Sequence, residues 1–486
     1  MPPRPTSSSS SESRARPHAA VGREDVVAWL DGRINHERTA SPGRWGLRRM
    51  RQLLALLGQP HKGVAVVHVA GTKGKGSTVA MLAGIFQASG YRVGRYMSPH
   101  VHDIEERIAI NGHPISGADL TAAWKQVKTA VEEMDARATR RGARGPTWFE
   151  ILTAIAFLSF REKGVDLAVM ETGLGGRLDA TNVCEPILSV ITSISLDHMA
   201  ELGDSVPLIA REKAGIIKRG CPVLCGARDE DARRVITEVA ARRRAPLVAI
   251  DRDFTVRIAT PTSADGSAAR QTVEVMPLVP RRFSLPEEAR GREPCEVRMV
   301  GSHQAHNAGV AIAAASLLHA RGSRIRWNGV RRALATVALP ARIEEFGERP
   351  RVIVDAAHNA ASMAALFQTL ACEDAPSGRR VLVFAASAEK QLVEMLSAAE
   401  GWADQLVLTR FHCNPRAAAL EMLRAAAATA VPALAAACVE EADPLHALQI
   451  ALRLAGARGV VCVAGSFFLA AEVRHHLLAK TSAPLR

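Results

Sequence analysis

The chain has 486 residues, of which 48% are hydrophobic, and a formal net charge of +13 at pH 7. A chain of this length can bury more than one core, so two domains are expected. The positive charge does not favour nucleic-acid binding, because the arginines are spread along the chain and only 4% of the residues are aromatic. Such a basic surface is better suited to attracting anionic small molecules.

The N-terminal segment, the apolar stretches and the cysteines exclude other classes of protein. Residues 1–20 are serine-rich and lack an apolar signal core, so they predict a disordered tail, with a basic transit peptide as the alternative. The longest weakly polar stretch, residues 425–439, is too short to span a bilayer. The eight cysteines show no spacing typical of a zinc site or a disulfide framework. We therefore expect a cytoplasmic protein without a membrane segment.

Short apolar or β-branched runs alternate with helical stretches in the first part of the chain. The runs that predict strands are "VAVVHVA", "RVGRYMS", "VDLAVME", "ILSVITSI" and "CPVLCG". This alternation is typical of an α/β domain with a mainly parallel sheet, which we assign to residues 21–338. Residues 251–300 break the pattern and predict a β-rich or loop-rich insertion within that domain.

The segment "HVAGTKGKGSTVAML" at residues 68–82 places a glycine-rich loop between a strand and a helix. Glycine lets the backbone approach a ligand closely, and the start of a helix offers free N–H groups to an anion. Lys75 adds a positive charge, and Ser77 or Thr78 adds a hydroxyl. The spacing is a variant of the G-x-x-x-x-G-K-[ST] loop. It predicts a phosphate site, with a glycine-rich turn carrying exposed lysines as the alternative.

Three further polar clusters follow predicted strands. "YMSPHVHDIEERIAINGHPIS" contains Ser98, "METGLGGRLDATN" puts Glu171 directly after a strand, and "SISLDHMAELG" contains Asp197 and His198. A carboxylate near a phosphate loop is most simply a Mg²⁺ ligand, because Mg²⁺ prefers hard oxygen ligands and substrate phosphates. Glu171 and Ser98 are therefore candidates. The alternatives are a turn carboxylate for Glu171, a loop histidine paired with Asp197 for His198, and a flexible loop for "GLGGRLDATN".

The alternation restarts in the second half of the chain. The predicted strands are "RVIVDAAHN", "RRVLVFAAS", "ADQLVLTR" and "GVVCVAGS", each followed by a helical stretch. A second, smaller, doubly wound domain is therefore expected over residues 339–486. Ligands of open α/β sheets bind at the carboxyl ends of the strands, where the polar clusters also fall. The two edges are expected to face each other across a cleft.

Together, these motifs resemble folylpolyglutamate synthase/dihydrofolate synthase, a branch of the ATP-dependent Mur ligase family. The resemblance runs over about residues 25 to 475. It is carried by "HVAGTKGKGST", "SPHVHDIEERIAINGHPIS", "ETGLGGRLDATN", "SISLDHMAELGDSVPLIAREKAGIIK", "GSHQAHNAGVA", "LPARIEEF", "VDAAHN" and "GSFFLAAEVR". It implies a P-loop-containing, Mur-ligase-like ATPase domain with a mainly parallel sheet and a smaller Rossmann-like C-terminal domain.

The resemblance also implies an activity. The family uses ATP and magnesium, through two ions, to join L-glutamate to dihydropteroate or to a folate by way of an acyl phosphate. We expect a monomer with these small-molecule partners and no nucleic-acid or membrane partner. Which of the two acceptors is used, or whether both are, is left open by the sequence.

Site residues follow from the resemblance position by position. Residues expected to cradle the ATP phosphates are Gly71, Thr72, Gly74, Lys75, Gly76, Ser77 and Thr78. Ser98 and Glu171 would hold one magnesium ion, and His198 with Glu171 a second. Lys213 matches a lysine that the family carbamylates. The remaining nucleotide-contacting positions are His303, Gln304 and Asn307 near the adenine, and Arg342, Asp355 and His358 between the domains. Ser466 is expected near the glutamate.

The chain departs from the family pattern at several positions. Lys73 stands where asparagine is usual, and Ala356 and Ala360 replace the usual glycine and proline. "AASAEKQ" at residues 385–391 replaces a typical "GALADKD". Lys73 is expected to add charge beside the phosphates, and the other changes to alter the loops of the second domain. Two rival functions stay open: a Mur-type ligase acting on a UDP-linked cell-wall precursor, and a non-catalytic nucleotide-binding regulator.

Overall fold

The computed structural model describes residues 22–37, 46–259, 271–289, 293–372 and 377–482. The tail predicted for residues 1–20 lies outside this part of the chain. The described residues form two α/β units, one around an eight-stranded sheet and one around a six-stranded sheet, with a separate three-stranded sheet on the first unit.

The eight-stranded sheet of the first unit is mainly parallel. Its strands are β1 (Ala65–Ala70), β2 (Val93–Tyr96), β3 (Ile108–Ile110), β4 (His113–Pro114), β5 (Leu167–Glu171), β6 (Leu188–Ile191), β7 (Val223–Cys225) and β8 (Leu247–Ala249). They lie in the order β4-β3-β2-β5-β1-β6-β7-β8, and only the pairs that involve β3 are antiparallel. β1 lies inside the sheet, between β5 and β6. Its residues are almost all buried and most are β-branched or small, as is typical of strands covered on both faces.

Helices cover both faces of this sheet. They are α1 (Arg23–Asp31), α2 (Arg48–Leu56), α3 (Lys75–Ala88), α4 (Gly117–Thr139), α5 (Trp148–Glu162), α6 (Met199–Leu202), α7 (Val206–Lys213), α8 (Glu230–Arg242), α9 (Ser302–His319) and α10 (Trp327–Thr336). Short 3₁₀ helices occur at Ile104–Arg107, Ala180–Val183, Ala214–Ile216 and Glu287–Ala289. One core joins α3, α9 and α10 to the sheet, and another joins α1, α2, α4 and α5 to its opposite face.

The break in the α/β pattern after residue 251 is a small antiparallel sheet. It consists of β9 (Phe254–Ala259), β10 (Thr272–Pro277) and β11 (Cys295–Glu296), in the order β11-β10-β9. The sheet packs against α9, where Gly309 allows close approach, since a Cβ there would lie 2.4 Å from Val256 Cγ2. Its apolar side chains belong to the same core as α3 and α9.

The second unit is doubly wound. Its strands are β12 (Glu344–Phe346), β13 (Arg351–Val354), β14 (Arg380–Phe384), β15 (Gln405–Leu408), β16 (Val439–Glu440) and β17 (Val460–Ala464), in the order β12-β13-β17-β14-β15-β16. Only β12 is antiparallel to its neighbour. Its helices are α11 (Ala360–Leu370), α12 (Leu392–Ser397), α13 (Leu420–Ala430), α14 (Pro432–Ala436), α15 (Pro444–Ala455) and α16 (Phe467–Ser482). A separate core lies on each face of the sheet.

Several helix starts follow directly from local sequence. Thr147 and Glu150 form a capping box at α5, in which Thr147 Oγ1 accepts from Glu150 N at 3.3 Å. Asp443 caps α15 by accepting from the backbone N–H of Leu445 at 3.0 Å and of His446 at 2.8 Å. Such caps satisfy the free N–H groups at the helix start and fix where each helix begins.

The fold class expected from the sequence is confirmed, and the structure adds elements that the sequence pattern did not single out. These are β3, which lies between β4 and β2, and the edge strands β4, β8, β12 and β16; all five are short. Within the described residues, no helix is long and apolar enough to cross a membrane. All eight cysteines are free thiols.

Packing around Gly94 in β2 tests the core between the sheet and α5. A Cβ at Gly94 would lie 2.7 Å from Phe160 Cδ1, inside a buried hydrophobic core that cannot move aside freely. We expect Gly94→Ala to lower the free energy of unfolding by about 1–3 kcal/mol through overpacking. Gly32→Ala is the matched control, because its nearest contact would be an ordinary 3.5 Å. Equal melting temperatures for the two variants in thermal unfolding would contradict this packing.

Candidate active site

A cavity of about 840 Å³ lies between the carboxyl ends of the two sheets. The predicted site residues that line it are Thr72, Gly74, Lys75, Gly76, Ser77, Ser98, Glu171, His198, Lys213, His303, Gln304, Asn307, Arg342, Asp355, His358 and Ser466. Gly71 and Thr78 are buried behind this wall and do not line the cavity. A second cavity, of about 1180 Å³, lies near the amino ends of β13, β14 and β17 and is lined by none of these residues.

The glycine-rich loop between β1 and α3 is held by the segment that follows β6. The backbone N–H of Thr72 donates to Ser193 O at 2.7 Å, and Thr192 Oγ1 donates to Lys73 O at 2.6 Å. Gly74 occupies the position before α3 with a φ of +76°, a left-handed conformation that favours glycine. The loop therefore presents the start of α3 to the cavity, where free N–H groups and the helix dipole favour an anion.

The start of α9 packs directly against this loop. A Cβ at Gly74 would lie 2.1 Å from Asn307 Oδ1, so the amide of Asn307 needs a glycine opposite it. Asn307 Nδ2 donates to Gln304 Oε1 at 3.1 Å. Burial lowers the pKa of His303 to about 4, so this imidazole is neutral at pH 7. Its Nδ1 atom has no hydrogen-bond partner among the described residues, which leaves it free for a ligand.

Glu171 ends β5 beside the start of α3. Its Oε2 atom accepts from the backbone N–H of Ser98 at 3.3 Å and would lie 3.5 Å from a Cβ at Gly76. Burial raises the pKa of Glu171, and the positive charge of Lys75 opposes that shift. A buried carboxylate with a single long hydrogen bond is costly unless a cation is near. The carboxylate is thus suited to binding a cation next to the glycine-rich loop between β1 and α3, which we call the phosphate loop.

His198 and Asp197 lie on the loop after β6, close to the second unit. His198 has a φ of +50°, and its backbone N–H donates to Asp197 Oδ1 at 3.0 Å. Its Nε2 atom lies 4.0 Å from the same oxygen, and Lys390 Nζ lies 3.9 Å from it. Burial raises the pKa of Asp197, but the positive charges nearby outweigh burial and hold it below its usual value. The loop-histidine pairing is therefore present, at the cavity wall.

Lys213, at the end of α7, is buried below the phosphate loop. Its Nζ atom donates to Gly71 O at 2.8 Å. Burial, reinforced by the charge of Lys75, lowers the pKa of Lys213 to about 7. A substantial fraction of this amine is consequently neutral near pH 7, unlike an exposed lysine.

The residues of the second unit approach from the opposite side of the cavity. Asp355 follows β13, and its carboxylate accepts from the backbone N–H of Ile343 at 2.8 Å and of Ala357 at 2.7 Å. Arg342 lies between two residues with positive φ, Ala341 at +52° and Ile343 at +49°. Asp355 therefore fixes the strained backbone that carries Arg342. Positive φ is unfavourable for alanine and more so for a β-branched residue.

His358 is also on this side. Its Nδ1 atom lies 2.9 Å from Ala356 O, which fits an Nδ1–H donor and leaves Nε2 as an acceptor. Burial lowers the pKa of His358 to about 4, so the ring is neutral at pH 7. Ser466 follows β17, where its hydroxyl accepts from Phe468 N at 3.1 Å.

Asp179 is a site residue that the sequence reasoning missed. Asp179 Oδ2 accepts from the backbone N–H of Gly173 at 2.9 Å and of Leu174 at 3.0 Å, and Oδ1 accepts from Thr181 N at 3.0 Å. The Thr181 hydroxyl also donates to Oδ1 and lies 2.8 Å from His68 Nε2. The segment read as a possible flexible loop is thus pinned around one buried carboxylate. The signal was an aspartate two residues before a threonine, a pattern typical of side-chain-stabilised turns.

Contacts between the two units were missed as well. Arg416 of the second unit donates from Nη2 to Glu37 O at 2.6 Å. The Glu37 carboxylate in turn accepts from both terminal nitrogens of the buried Arg107, at 2.9 and 2.6 Å. These residues are far apart in the sequence, and no local pattern marks their pairing.

The two α/β units match two protein-family models. The Mur ligase middle domain matches residues 69–315, and the Mur ligase, glutamate ligase domain matches residues 341–467. The two matches follow each other along the chain in the order of the two α/β units.

Individual relatives show which kind of Mur-type ligase the chain resembles. The dihydrofolate synthase/folylpolyglutamate synthase of Bacillus subtilis is 36% identical over 456 residues, which are 93% of this chain and 99% of that protein. A structure of Mycobacterium tuberculosis folylpolyglutamate synthase complexed with ADP matches with a TM-score of 0.80 and 31% identity, over 94% of this chain and 98% of the other. E. coli FolC in complex with DHPP and ADP matches with a TM-score of 0.77 and 28% identity, over 96% and 100%.

The chain belongs to the dihydrofolate synthase/folylpolyglutamate synthase family of Mur-type ligases. The resemblance found in the sequence motifs is confirmed. None of these three relatives is named as a ligase for a UDP-linked precursor or as a non-catalytic regulator, so neither rival reading is favoured.

The buried network around Asp179 gives a test of the cavity wall. In Asp179→Asn the side chain keeps its shape, but one oxygen becomes an NH₂ group that faces N–H donors. We expect a loss of about 1.5–3 kcal/mol in unfolding free energy, because bonds to a charged acceptor are replaced by an unsatisfied contact. Asp231→Asn, at an exposed position, is the control. A melting temperature for Asp179→Asn equal to that of the control would show that the network does not hold the loop.

Proposed function

We propose that this chain is an ATP-dependent amide ligase that joins L-glutamate to dihydropteroate, to a folate, or to both. The observation that carries the proposal is the cavity in which a phosphate loop and Glu171 of the first unit face Arg342, Asp355 and His358 of the second unit. Relatives with folate-ligase names and structures complexed with ADP support the nucleotide and the substrate class.

The chemistry explains why such a cavity is needed. A carboxylate resists attack by an amine, because its carbon is electron-rich and oxide is a very poor leaving group. Transfer of the γ-phosphoryl group from ATP to a carboxylate oxygen releases ADP and forms an acyl phosphate. The glutamate amine then attacks the carbonyl carbon, loses a proton and expels inorganic phosphate. Both steps concentrate negative charge, which fixed cations and N–H groups stabilise.

The residues on the two sides of the cavity have complementary roles in this proposal. Lys75 and the start of α3 would neutralise the phosphates of ATP, and Arg342 would approach the transferring group from the second unit. The neutral His303 and the Asn307 amide would bind the rest of the nucleotide. Bringing the two units together would align the amine with the acyl phosphate and exclude water that would hydrolyse it.

The residues also fit magnesium. Within the described residues, no group of three or more histidine, cysteine, aspartate or glutamate side chains converges as a set of metal ligands. Mg²⁺ does not require such a set, because one or two carboxylates, phosphate oxygens and water usually complete its shell. Glu171, with its buried and almost unbonded carboxylate, and Ser98 would hold it, and His198 with Glu171 would hold a second ion. Bound there, Mg²⁺ would neutralise charge on the phosphates.

Carbamylation of Lys213 is part of the proposal. A neutral amine is needed to attack CO₂, and a pKa of about 7 makes that form abundant near neutral pH. The product is a carbamate and one proton, so a buried cation becomes an anion beside the phosphate loop. Protein prepared with ¹³C-bicarbonate should show a carbamate carbon signal in NMR that Lys213→Met lacks. An unchanged carbamate signal in that variant would show that Lys213 is not the carbamylated residue.

The domain boundaries are likewise proposed at residues 21–338 and 339–486. The end of α10 at Thr336 and the start of β12 at Glu344 support a boundary between them. The family models, which stop at residue 315 and resume at residue 341, support the same division.

The activity is tested by incubating the purified protein with ATP, Mg²⁺ and L-glutamate and comparing dihydropteroate, tetrahydrofolate and no acceptor. We expect acceptor-dependent ADP release and a product heavier by one glutamate residue. A gain on dihydropteroate alone indicates dihydrofolate synthase, a gain on tetrahydrofolate alone folylpolyglutamate synthase, and a gain on both a bifunctional enzyme. No product with either acceptor would refute the proposed function.

Two substitutions test the assigned roles separately. Lys75→Met should reduce ligation by at least about a hundredfold, because the positive charge that Lys75 places near the transferring phosphate is lost.

Glu171→Gln should shift the Mg²⁺ titration to higher concentration or abolish activity, because the amide is a weaker ligand than the carboxylate. Circular dichroism would check that both variants fold. Near-normal turnover for the first, or an unchanged Mg²⁺ titration for the second, would count against the role of that residue.

A further inference from the structure

The side chains of Lys73 and Lys75, the two lysines of the phosphate loop, contact different parts of the protein. Lys75 Nζ stays within the loop, where it lies 3.4 Å from Thr72 O. Lys73 Nζ instead crosses the cavity and donates a hydrogen bond to Asn359 Oδ1 of the second unit. The sequence placed the charge of Lys73 beside the phosphates, whereas the structure directs it to a side chain of the opposite domain.

The segments at both ends of this contact are held by hydrogen bonds within their own units. The backbone of Lys73 is fixed on both sides, because its N–H donates to Ser193 Oγ at 3.1 Å and its carbonyl accepts from Thr192 Oγ1 at 2.6 Å. Asn359 is the N-cap of α11, where Oδ1 also accepts from Ser362 N at 3.0 Å. Because the segments at both ends are held in place, a hydrogen bond between them restrains their separation more than a contact between mobile surface side chains would.

A second contact crosses the same gap in the opposite sense. Asp197 of the first unit lies 3.9 Å from Lys390 Nζ of the second unit. Burial lowers the pKa of Lys73 to about 8, and the negative charge of Asp197 opposes that shift. Lys73 is still mostly charged at pH 7, and charge strengthens its hydrogen bond to Asn359. Each unit thus contributes a lysine that contacts the opposite unit across the gap.

The contact joins the two segments that flank the cavity. Lys73 comes two residues before Lys75, and Asn359 directly follows His358. Any change in the distance between Lys73 and Asn359 would move the phosphate loop relative to the Asp355–His358 segment. Displacements of about 1 Å between reacting groups can cost about a hundredfold in rate.

We propose that Lys73 is a positioning residue for ligation, which holds the phosphate loop at a fixed distance from the N-terminus of α11 through Asn359. This inference rests on the proposed function. In this role Lys73 acts between the domains and does not bind the nucleotide phosphates, so its loss affects turnover and leaves nucleotide affinity almost unchanged.

The first test separates turnover from binding. Lys73→Met keeps the aliphatic stem and removes the charge, and Asn359→Ser keeps an N-cap residue but shortens the acceptor. We expect each to lower kcat by about ten- to a hundredfold, the range of a hydrogen bond to a charged group, with the ADP Kd from calorimetry within about threefold of wild type. The double variant should be no slower than the slower single variant. Lys125→Met, at an exposed position, is the matched control.

The second test does not depend on activity. In hydrogen exchange of the ligand-free protein, Lys73→Met and Asn359→Ser should each speed exchange over residues 355–370, and the double variant should add nothing. Exchange equal to wild type would overturn the proposal, as would multiplicative losses of kcat or an ADP Kd weakened tenfold or more in Lys73→Met. A wild-type protein that makes no ligation product would refute the proposed function alone, since exchange still reports on the contact.

Discussion

The arrangement of this molecule depends on one constraint: the carboxyl ends of two mainly parallel sheets face each other across one cavity. In each sheet, the strand interiors are mostly apolar and buried on both faces, so the polar residues of the cavity lie mainly on the loops that leave the strands. Neither sheet edge alone provides both a phosphate-binding loop and an opposing arginine. The proposed reaction needs charge stabilisation from both sides at once, and the facing edges supply it.

Burial gives the same cavity its chemical character. It raises the pKa of Glu171 and of Asp355, and lowers the pKa of His303, His358 and Lys213. Removing water from these groups strengthens every remaining electrostatic interaction and favours binding of ions that compensate the buried charge. In the proposed reaction, a nucleotide with its metal would be such a partner, since it would bring negative phosphates to the lysines and a cation to Glu171.

The sequence was sufficient where local chemistry fixes structure. The strands ending at Ala70, Glu171 and Val354 are short apolar runs, and the glycine-rich loop lies where a strand meets a helix, so these positions were predicted correctly. The sequence was insufficient where long-range contacts decide. Nothing local indicates that Lys73 bonds to Asn359, or that Arg416 reaches Glu37. Thr78, also expected at the phosphates, has a fully buried side chain on α3, and its role there stays a prediction.

The central claim, that this cavity activates a carboxylate through an acyl phosphate, is tested most directly by isotope transfer. The acceptor is prepared with ¹⁸O in the reacting carboxylate and ligated to glutamate with unlabelled ATP. Attack of a carboxylate oxygen on the γ-phosphorus, followed by expulsion of phosphate, leaves one ¹⁸O atom in each inorganic phosphate released. Mass spectrometry of that phosphate should therefore show a single ¹⁸O per amide formed. Unlabelled phosphate, accompanied by normal amide formation, would contradict the mechanism and with it the role assigned to the facing sheet edges.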